Sequence, residues 1–250
     1  MVYANGRKKS FNAVSVNNQR RFLINKEVEL SKEEIFLESF EHGNYFYLVT
    51  VGWTTSNLFF YKFDSDINIE TQRVELADLV FGVNEKGLYK NPLRTNGEES
   101  ISNISYETIN SLATTASQNK IYVFDNTFTL ALDKHFGQTL ILKINLQDWS
   151  KSLKKIAFES NNCEKSNSNS SLLHNWLFKS QVCDDQLRFS IFDYQTGVEL
   201  SSFSVGSEEE IAFKNTPVIQ EGGKTMFAAA ISPLENPTNP PIFALLIFKR

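Results

Sequence analysis

NLFFYKFDSDINIETQRVEL, residues 57–76, reads either as a β-hairpin with a polar turn or as a calcium-binding loop. Counted from Asp64, oxygen side chains fall at Asp64, Asp66, Asn68 and Glu70, with Glu75 at the twelfth place. That spacing is close to the helix–loop–helix calcium motif, whose sixth residue is Gly because the backbone turns there with positive φ. Here the sixth residue is Ile69, a β-branched residue for which positive φ is an outlier. The flanks also alternate as strands, not as helices. The hairpin accounts for every residue: Asp64, Ser65, Asp66 and Asn68 form the turn, and Ile69 begins the returning strand. Asp64, Asp66, Asn68, Glu70 and Glu75 are kept as a weak calcium candidate.

The same spelling returns later in the chain. QLRFSIFDYQTGVELSSFSV (186–205) repeats the order Leu-x-Phe-x-x-Phe-Asp, a polar turn, then a second strand. Leu58, Phe60, Phe63 and Asp64 correspond to Leu187, Phe189, Phe192 and Asp193. Each stretch follows an aromatic-rich strand that opens with Asn and an aromatic, NYFYLVTV (44–51) and NWLFKSQV (175–182). QTLILKINLQDWSKSLKKIAF (138–158) is a looser third copy, with Asn145 in the place of the Asp. Period-two alternation runs through these units. Leu140, Leu142 and Ile144 share a face, as do Leu187, Phe189 and Ile191, the pattern of half-buried strands.

Composition agrees with a strand-rich chain. Among 250 residues there are 21 Phe but only 11 Gly and 6 Pro. Aromatics pack well on a pleated surface, and scarce Gly and Pro leave Asn, Asp and Ser to build turns. Further strands are expected at 119–126, 128–133, 153–158 and 172–182. SKEEIFLESF (31–40) is ambiguous. Ser31 and Glu34 have the spacing of a helix capping box, and Ile35, Phe36, Leu37 and Phe40 fit a helical face as well as a strand. The hairpin-like sequence that follows favours strand. QDWSKSLKKI (147–156) also tolerates helix. NNCEKSNSNSS (161–171) and the long 84–100 stretch read as loops.

Weak repeats of roughly 40–70 residues, built of short strands, fit four-stranded blades that bury their faces only against neighbours. The turn Phe192-Asp193-Tyr194-Gln195-Thr196-Gly197 carries a resemblance to bacterial WD40- or YVTN-like β-propeller repeat proteins over about residues 30–235. The Trp-Asp and Gly-His pairs of the eukaryotic repeats are missing, and Asp148-Trp149 has the reverse order. The expectation is one all-β domain over 1–250, a propeller-like array of four-stranded antiparallel blades. Its units lie near 30–80, 107–160, 171–206 and 209–250, and the array is either incomplete, as part of a longer protein, or closed by pairing of its ends. The alternative is a β-sandwich.

Function is less legible. The net charge is −4 and no basic stripe stands out, so the concentrated cationic face that nucleic-acid binding needs is lacking. The longest late apolar run, Ile242–Phe248, falls well below the ~20 residues of a membrane-spanning helix. Without an apolar leader the chain reads as cytoplasmic, or as periplasmic or secreted if it is part of a longer precursor. Cys163 and Cys183 lack metal-ligand spacing, and their redox state is open. His42, His135 and His174 form no paired motif. EGGKT (221–225) lacks the first glycine of a phosphate loop and reads as a turn. No cofactor is implied. The expectation is a non-catalytic binding or scaffold module that presents propeller loops to an unknown protein or glycan. Trp53, Tyr89, Arg94 and Trp176 are the candidate contacts. A propeller-fold hydrolase or lyase with acidic residues near the axis is the alternative.

Overall fold

The computed structural model describes residues 2–5, 10–16, 22–52, 55, 57–76, 101–106, 110, 112–133, 138–157, 166–183, 186–206, 227–236 and 239–249. Trp53, Tyr89, Arg94, Cys163, His135, the 84–100 stretch and EGGKT lie outside them. The chain is all-β, an array of antiparallel sheets; the only described helix is the single turn α1 (Leu112–Thr115). The chain divides into two compact units, Met1–Asn96 and Gly97–Arg250.

In the first unit, β1 (Val2–Asn5), β2 (Ser10–Val16) and β3 (Phe22–Glu29) form a three-stranded antiparallel sheet. β4 (Glu34–His42), β5 (Tyr45–Gly52), β6 (Leu58–Phe63) and β7 (Ile69–Val74) follow as a four-stranded meander. Phe11, Ala13 and Val28 of the first sheet pack on Leu48 and Phe63 of the second and on Ile67 in its β6–β7 turn.

In the second unit, β8 (Ile101–Ile104) pairs in parallel with β9 (Asn119–Phe124). β10 (Thr127–Leu132), β11 (Gln138–Asn145) and β12 (Lys151–Ala157) continue the sheet as a meander. β13 (Ser166–Leu173), β14 (Trp176–Cys183), β15 (Gln186–Asp193) and β16 (Glu199–Gly206) form a second four-stranded meander. The hairpin of β17 (Phe227–Asn236) and β18 (Asn239–Lys249) places β17 beside β13 and β14. The two larger sheets pack face to face. Tyr122, Ala131, Ile141 and Ile156 meet Leu172, Leu177, Phe192 and Tyr194 in one buried cluster. First strand lies near first strand, and the fourth strand β12 lies near the β15–β16 turn, where Lys154 donates to the Gln195 carbonyl. In each meander the last strand is the exposed edge, and β12 protects its edge with Lys151, Lys154 and Lys155.

The repeat has a structural counterpart in three equivalent hairpins. Asp64, Asn145 and Asp193 each close the third strand of a meander, accepting backbone N–H bonds into the following turn. Asp64 Oδ1 accepts from Asn68 N at 2.8 Å, Asn145 Oδ1 from Gln147 N at 2.8 Å, and Asp193 Oδ1 from Thr196 N at 2.6 Å. In all three turns a residue shortly before the return strand is left-handed: Ile67 (φ 59°), Trp149 (φ 61°) and Gly197 (φ 77°). Short Asx side chains replace the backbone's own turn bonds, which lets a glycine-poor chain reverse.

Two expectations need correction. Residues 166–171, within a stretch that reads as loop, belong to strand β13, and the expected single strand at 172–182 is interrupted by a turn at His174 and Asn175. β13 is polar because the face it covers is polar. Ser170 and Ser171 are buried, and Asn169 is held by the α1–β9 connection through Ala116 and Ser117. The ambiguous 31–40 stretch is strand β4 with a real local cap. Ser31 N donates to Glu34 Oε1 at 3.2 Å, and Glu33 N donates to Ser31 Oγ at 3.3 Å. A bulge between Phe36 and Glu38 then breaks the alternation, so Glu34, Leu37 and Phe40 are buried at a spacing of three. That spacing is what imitates a helix. The helix-tolerant 147–156 stretch is a turn followed by β12.

Gly197→Ala tests the turn. A Cβ there would meet nothing closer than Lys154 Cε at 3.7 Å, so the cost is the left-handed backbone alone. The expected loss is about 1 kcal/mol, read as a lower midpoint in urea with an unchanged m-value.

Candidate functional site

The interface between the two larger sheets of the second unit changes character along its length. At one end lies a buried ionic cluster. Asp133, just past β10, accepts from Thr139 Oγ1 (2.7 Å) and Lys179 Nζ (3.3 Å) on Oδ1, and from Ser170 N (2.5 Å) on Oδ2. Lys179 also donates to Thr139 Oγ1 at 2.7 Å. Lys120 donates to the Ser117 carbonyl (2.6 Å) and Asn169 Oδ1 (2.9 Å). Asp133, Lys179 and Lys120 are all buried, so one carboxylate faces two ammonium groups.

Burial alone would push the Asp133 carboxyl up. Lys179 and Lys120, with bonds from Ser170 and Thr139, outweigh it and hold the carboxyl below its ordinary range. Burial pushes the Lys120 ammonium down, against the pull of Asp133 and with the push of Lys179, to about 8. Burial also lowers Lys179, and Asp133 only partly offsets it. With its charges opposed and bonded across β10, β11, β13 and β14, the cluster is a clamp between sheets.

The middle of the interface is apolar, and the other end opens into a pocket of about 420 Å³. One wall is aromatic. Tyr106 stacks on Tyr122 (centroids 5.6 Å, 27°) and meets Phe124 edge-on (5.7 Å, 75°). Register places Tyr122 beside Thr129, and Thr129 beside Lys143, on the face turned to the second sheet. Tyr106 donates to the Leu172 carbonyl and Tyr122 accepts from Leu172 N, both at 3.2 Å, which fixes both rings against β13. Two turns form the rim, Asp125–Asn126 and His174–Asn175. Asp125 (φ 44°), Asn126 (φ 59°) and His174 (φ 51°) are all left-handed. Phe124 remains 53% exposed at the mouth, unusual for a large apolar ring.

Of the expected site residues, Trp53, Tyr89 and Arg94 lie outside the described residues, and the described ones are placed away from the pocket. Trp176 is half exposed at the start of β14, edge-on to Phe178, on the face of its sheet opposite to Leu177 and the pocket. The calcium candidates do not converge. Asp64 is turned into its own hairpin, bound by Asp66 N, Asn68 N and Asn68 Nδ2, and these bonds, Asn68's foremost, hold its carboxyl low. Glu70 pairs with Lys62 and Glu75 with Arg73. Positive φ falls on Ile67, not on Ile69. Among the described residues no group of three or more His, Cys, Asp or Glu could hold a metal ion. No described helix is long and apolar enough to cross a membrane. The pocket residues escaped the sequence reading because they come from four separate segments and share no local spelling. The Asp125-Asn126 turn was the one available signal.

Neither a protein-family model nor a curated sequence matches the chain. Among solved structures it is similar to an apocarotenoid oxygenase mutant of Synechocystis, at 10% identity and a TM-score of 0.29, over 78% of this chain and 55% of that one. The chain thus spans about half of that structure's length, and a likeness so slight carries no argument about activity.

Two measurements test the clamp. Asp133→Asn leaves two buried ammonium groups without a countercharge, and the expected loss is about 3–5 kcal/mol. A loss below about 1 kcal/mol in urea unfolding would contradict the clamp. The second measurement is pH dependence. An unfolded lysine titrates near 10.5, so between pH 8 and 10 the unfolded chain holds a proton that folded Lys120 has released. Stability therefore rises with pH in that window and is insensitive to Lys120 below it. Tyr122, whose hydroxyl burial pushes up, acts in the opposite sense only above about pH 10. Urea midpoints should climb from pH 8 to about 9.5, with a smaller slope in Lys120→Met.

Proposed function

We propose that the chain is a non-catalytic binding module of the propeller-repeat kind, and that the pocket at the open end of the second unit's sheet interface takes a carbohydrate. The observation that carries this reading is the aromatic wall of exposed Phe124, half-buried Tyr106 and buried Tyr122 beside the hydroxyls and amides of the rim. A sugar ring has one apolar C–H face and an equatorial belt of hydroxyls. It stacks on an aromatic face and leaves its hydroxyls to Thr127, Thr129 and Asn175. The pocket volume falls within the range of small-molecule sites. Rigid strands and left-handed turns hold its walls, which reduces the ordering cost of binding.

The blade-like reading draws on consecutive meanders and on the shared Asx hairpins at Asp64, Asn145 and Asp193. The binding reading, in place of hydrolysis, draws on the state of the buried carboxylates. Asp133 is clamped by lysines, and Glu34 in the first unit accepts from Thr50, Tyr61 and Ser31. Neither stands over a cavity as a general acid or base needs to.

A glycan array probed with the full chain, followed by calorimetry, tests the reading. A saturable glycan ligand is expected, with affinity about tenfold weaker in Phe124→Ala for loss of an aromatic contact of ~1.4 kcal/mol. Binding unaffected by Phe124→Ala, or no glycan bound at all, would refute it.

A further inference from the structure

We infer that the ligand of this pocket is an anionic sugar, whose carboxylate or sulfate sits against Lys143 with Lys154 behind it. The inference rests on the carbohydrate reading above and adds the charge. Lys143 (β11) and Lys154 (β12) lie diagonally on the same sheet face, since Lys143 pairs with Ser152 and Lys154 with Ile141. Both approach a single ring. Lys143 Nζ is 4.1 Å and Lys154 Nζ 5.4 Å from the centroid of Tyr194, which projects from the β15–β16 turn.

Two ammonium groups on one tyrosine repel each other, and a cation–π contact gives back only about 0.5–2 kcal/mol. A protein that only needed positive charge for solubility would not gather it there. Neither lysine forms an ion pair among the described residues. Lys154 is directed to the Gln195 carbonyl, whereas Lys143 lines the pocket and, among the described residues, has the Tyr194 ring as its partner.

The carboxylates nearby do not neutralise the pair. Asp125, on the rim, makes no ion pair with Lys143. Asp193, close enough to feel Lys154, is occupied by Thr196 N and Thr196 Oγ1. Burial, and then the Lys154 charge, push the Lys143 ammonium down, so an entering anion would relieve a repulsion already present. A ring stacked on Phe124 with an acidic substituent directed inward meets the apolar wall and the cation together.

Calorimetry with the full chain at low salt would use three probes: tetragalacturonate, its fully methyl-esterified form, and a 6-sulfated galactose tetramer. The acidic tetramer is expected to bind at least tenfold more tightly than its ester. That advantage should shrink at 0.5 M NaCl, vanish in Lys143→Met and persist in Lys143→Arg. The sulfated probe decides between the two anions: binding like the uronate marks a general anion seat, and binding like the ester marks a carboxylate seat. Equal affinity for acid and ester, unchanged by Lys143→Met, overturns the inference while leaving the carbohydrate reading intact. Binding by none of the three, or by any other arrayed glycan, overturns both. An unchanged melting temperature in Lys143→Met excludes misfolding as the cause of a lost preference.

Discussion

The second unit is organised around one buried negative charge. Asp133 sits at the end of β10, and its donors come from three other strands: Thr139 of β11, Ser170 of β13 and Lys179 of β14. A carboxylate in an apolar interior is tolerable only when its lone pairs are filled and its charge is opposed. Both conditions require the two sheets to meet in one register. Slipping β13 by a single residue would turn Ser168, Ser170 and Leu172 to the opposite face and replace them with Asn169, Ser171 and Leu173. Apolar packing alone would not oppose such a slip as strongly, because Leu172 and Leu173 are interchangeable in a greasy contact. The ionic cluster therefore supplies specificity, and the Tyr122, Ile141, Leu177 and Phe192 cluster supplies the apolar burial.

That division of labour explains which parts of the fold were readable in the sequence. Where one face is apolar and the other wetter, strands announce themselves by alternation, as in β6 and β15. The Asx hairpins were equally legible, because Asp64, Asn145 and Asp193 perform a local task that needs a particular short side chain at a fixed place. β13 was not legible. SNSNSSLL covers a polar interior and so has the composition of a loop, while its strand character is imposed by β14 and by Asp133 from outside. β4 failed more mildly: its bulge at Leu37 moved the buried positions to a spacing of three, which a periodicity argument assigns to helices.

The pocket was hidden for a different reason. Its walls join Tyr106, the β9–β10 hairpin, Lys143, Leu172 and the His174–Asn175 turn, and their adjacency depends on how two meanders are aligned. A sequence draws the eye to tryptophan, and Trp176 is indeed exposed. Parity, however, places it with Leu173 and Phe178, on the face opposite Leu172 and Leu177. One residue in a strand decides between lining a site and facing away from it. The Phe124 ring, in contrast, looks unremarkable in NKIYVFDN and becomes informative only once β9 is known to end at the mouth of the interface.

The two ends of the interface hold lysines in opposite circumstances, and the contrast suggests why one end is closed and the other open. Lys120 and Lys179 are sealed, and their ammonium groups are held by oxygens of the fold, so little is left to attract a ligand. Lys143 lies on the same sheet face two strand-pairs further along, yet it faces space and a tyrosine ring. A fold that already neutralises cations between these sheets with Asp133, Asn169 and a backbone carbonyl could have done so again beside Lys143. The groups it places there are threonines, an asparagine amide, an imidazole, aromatic rings and the rim carboxylate of Asp125, which present a ligand with surfaces to rest on but form no ion pair with the ammonium. The difference between a filled clamp and an open seat is thus one of partner supply along a continuous interface, and it arises from which residues β10 and β13 bring to each end.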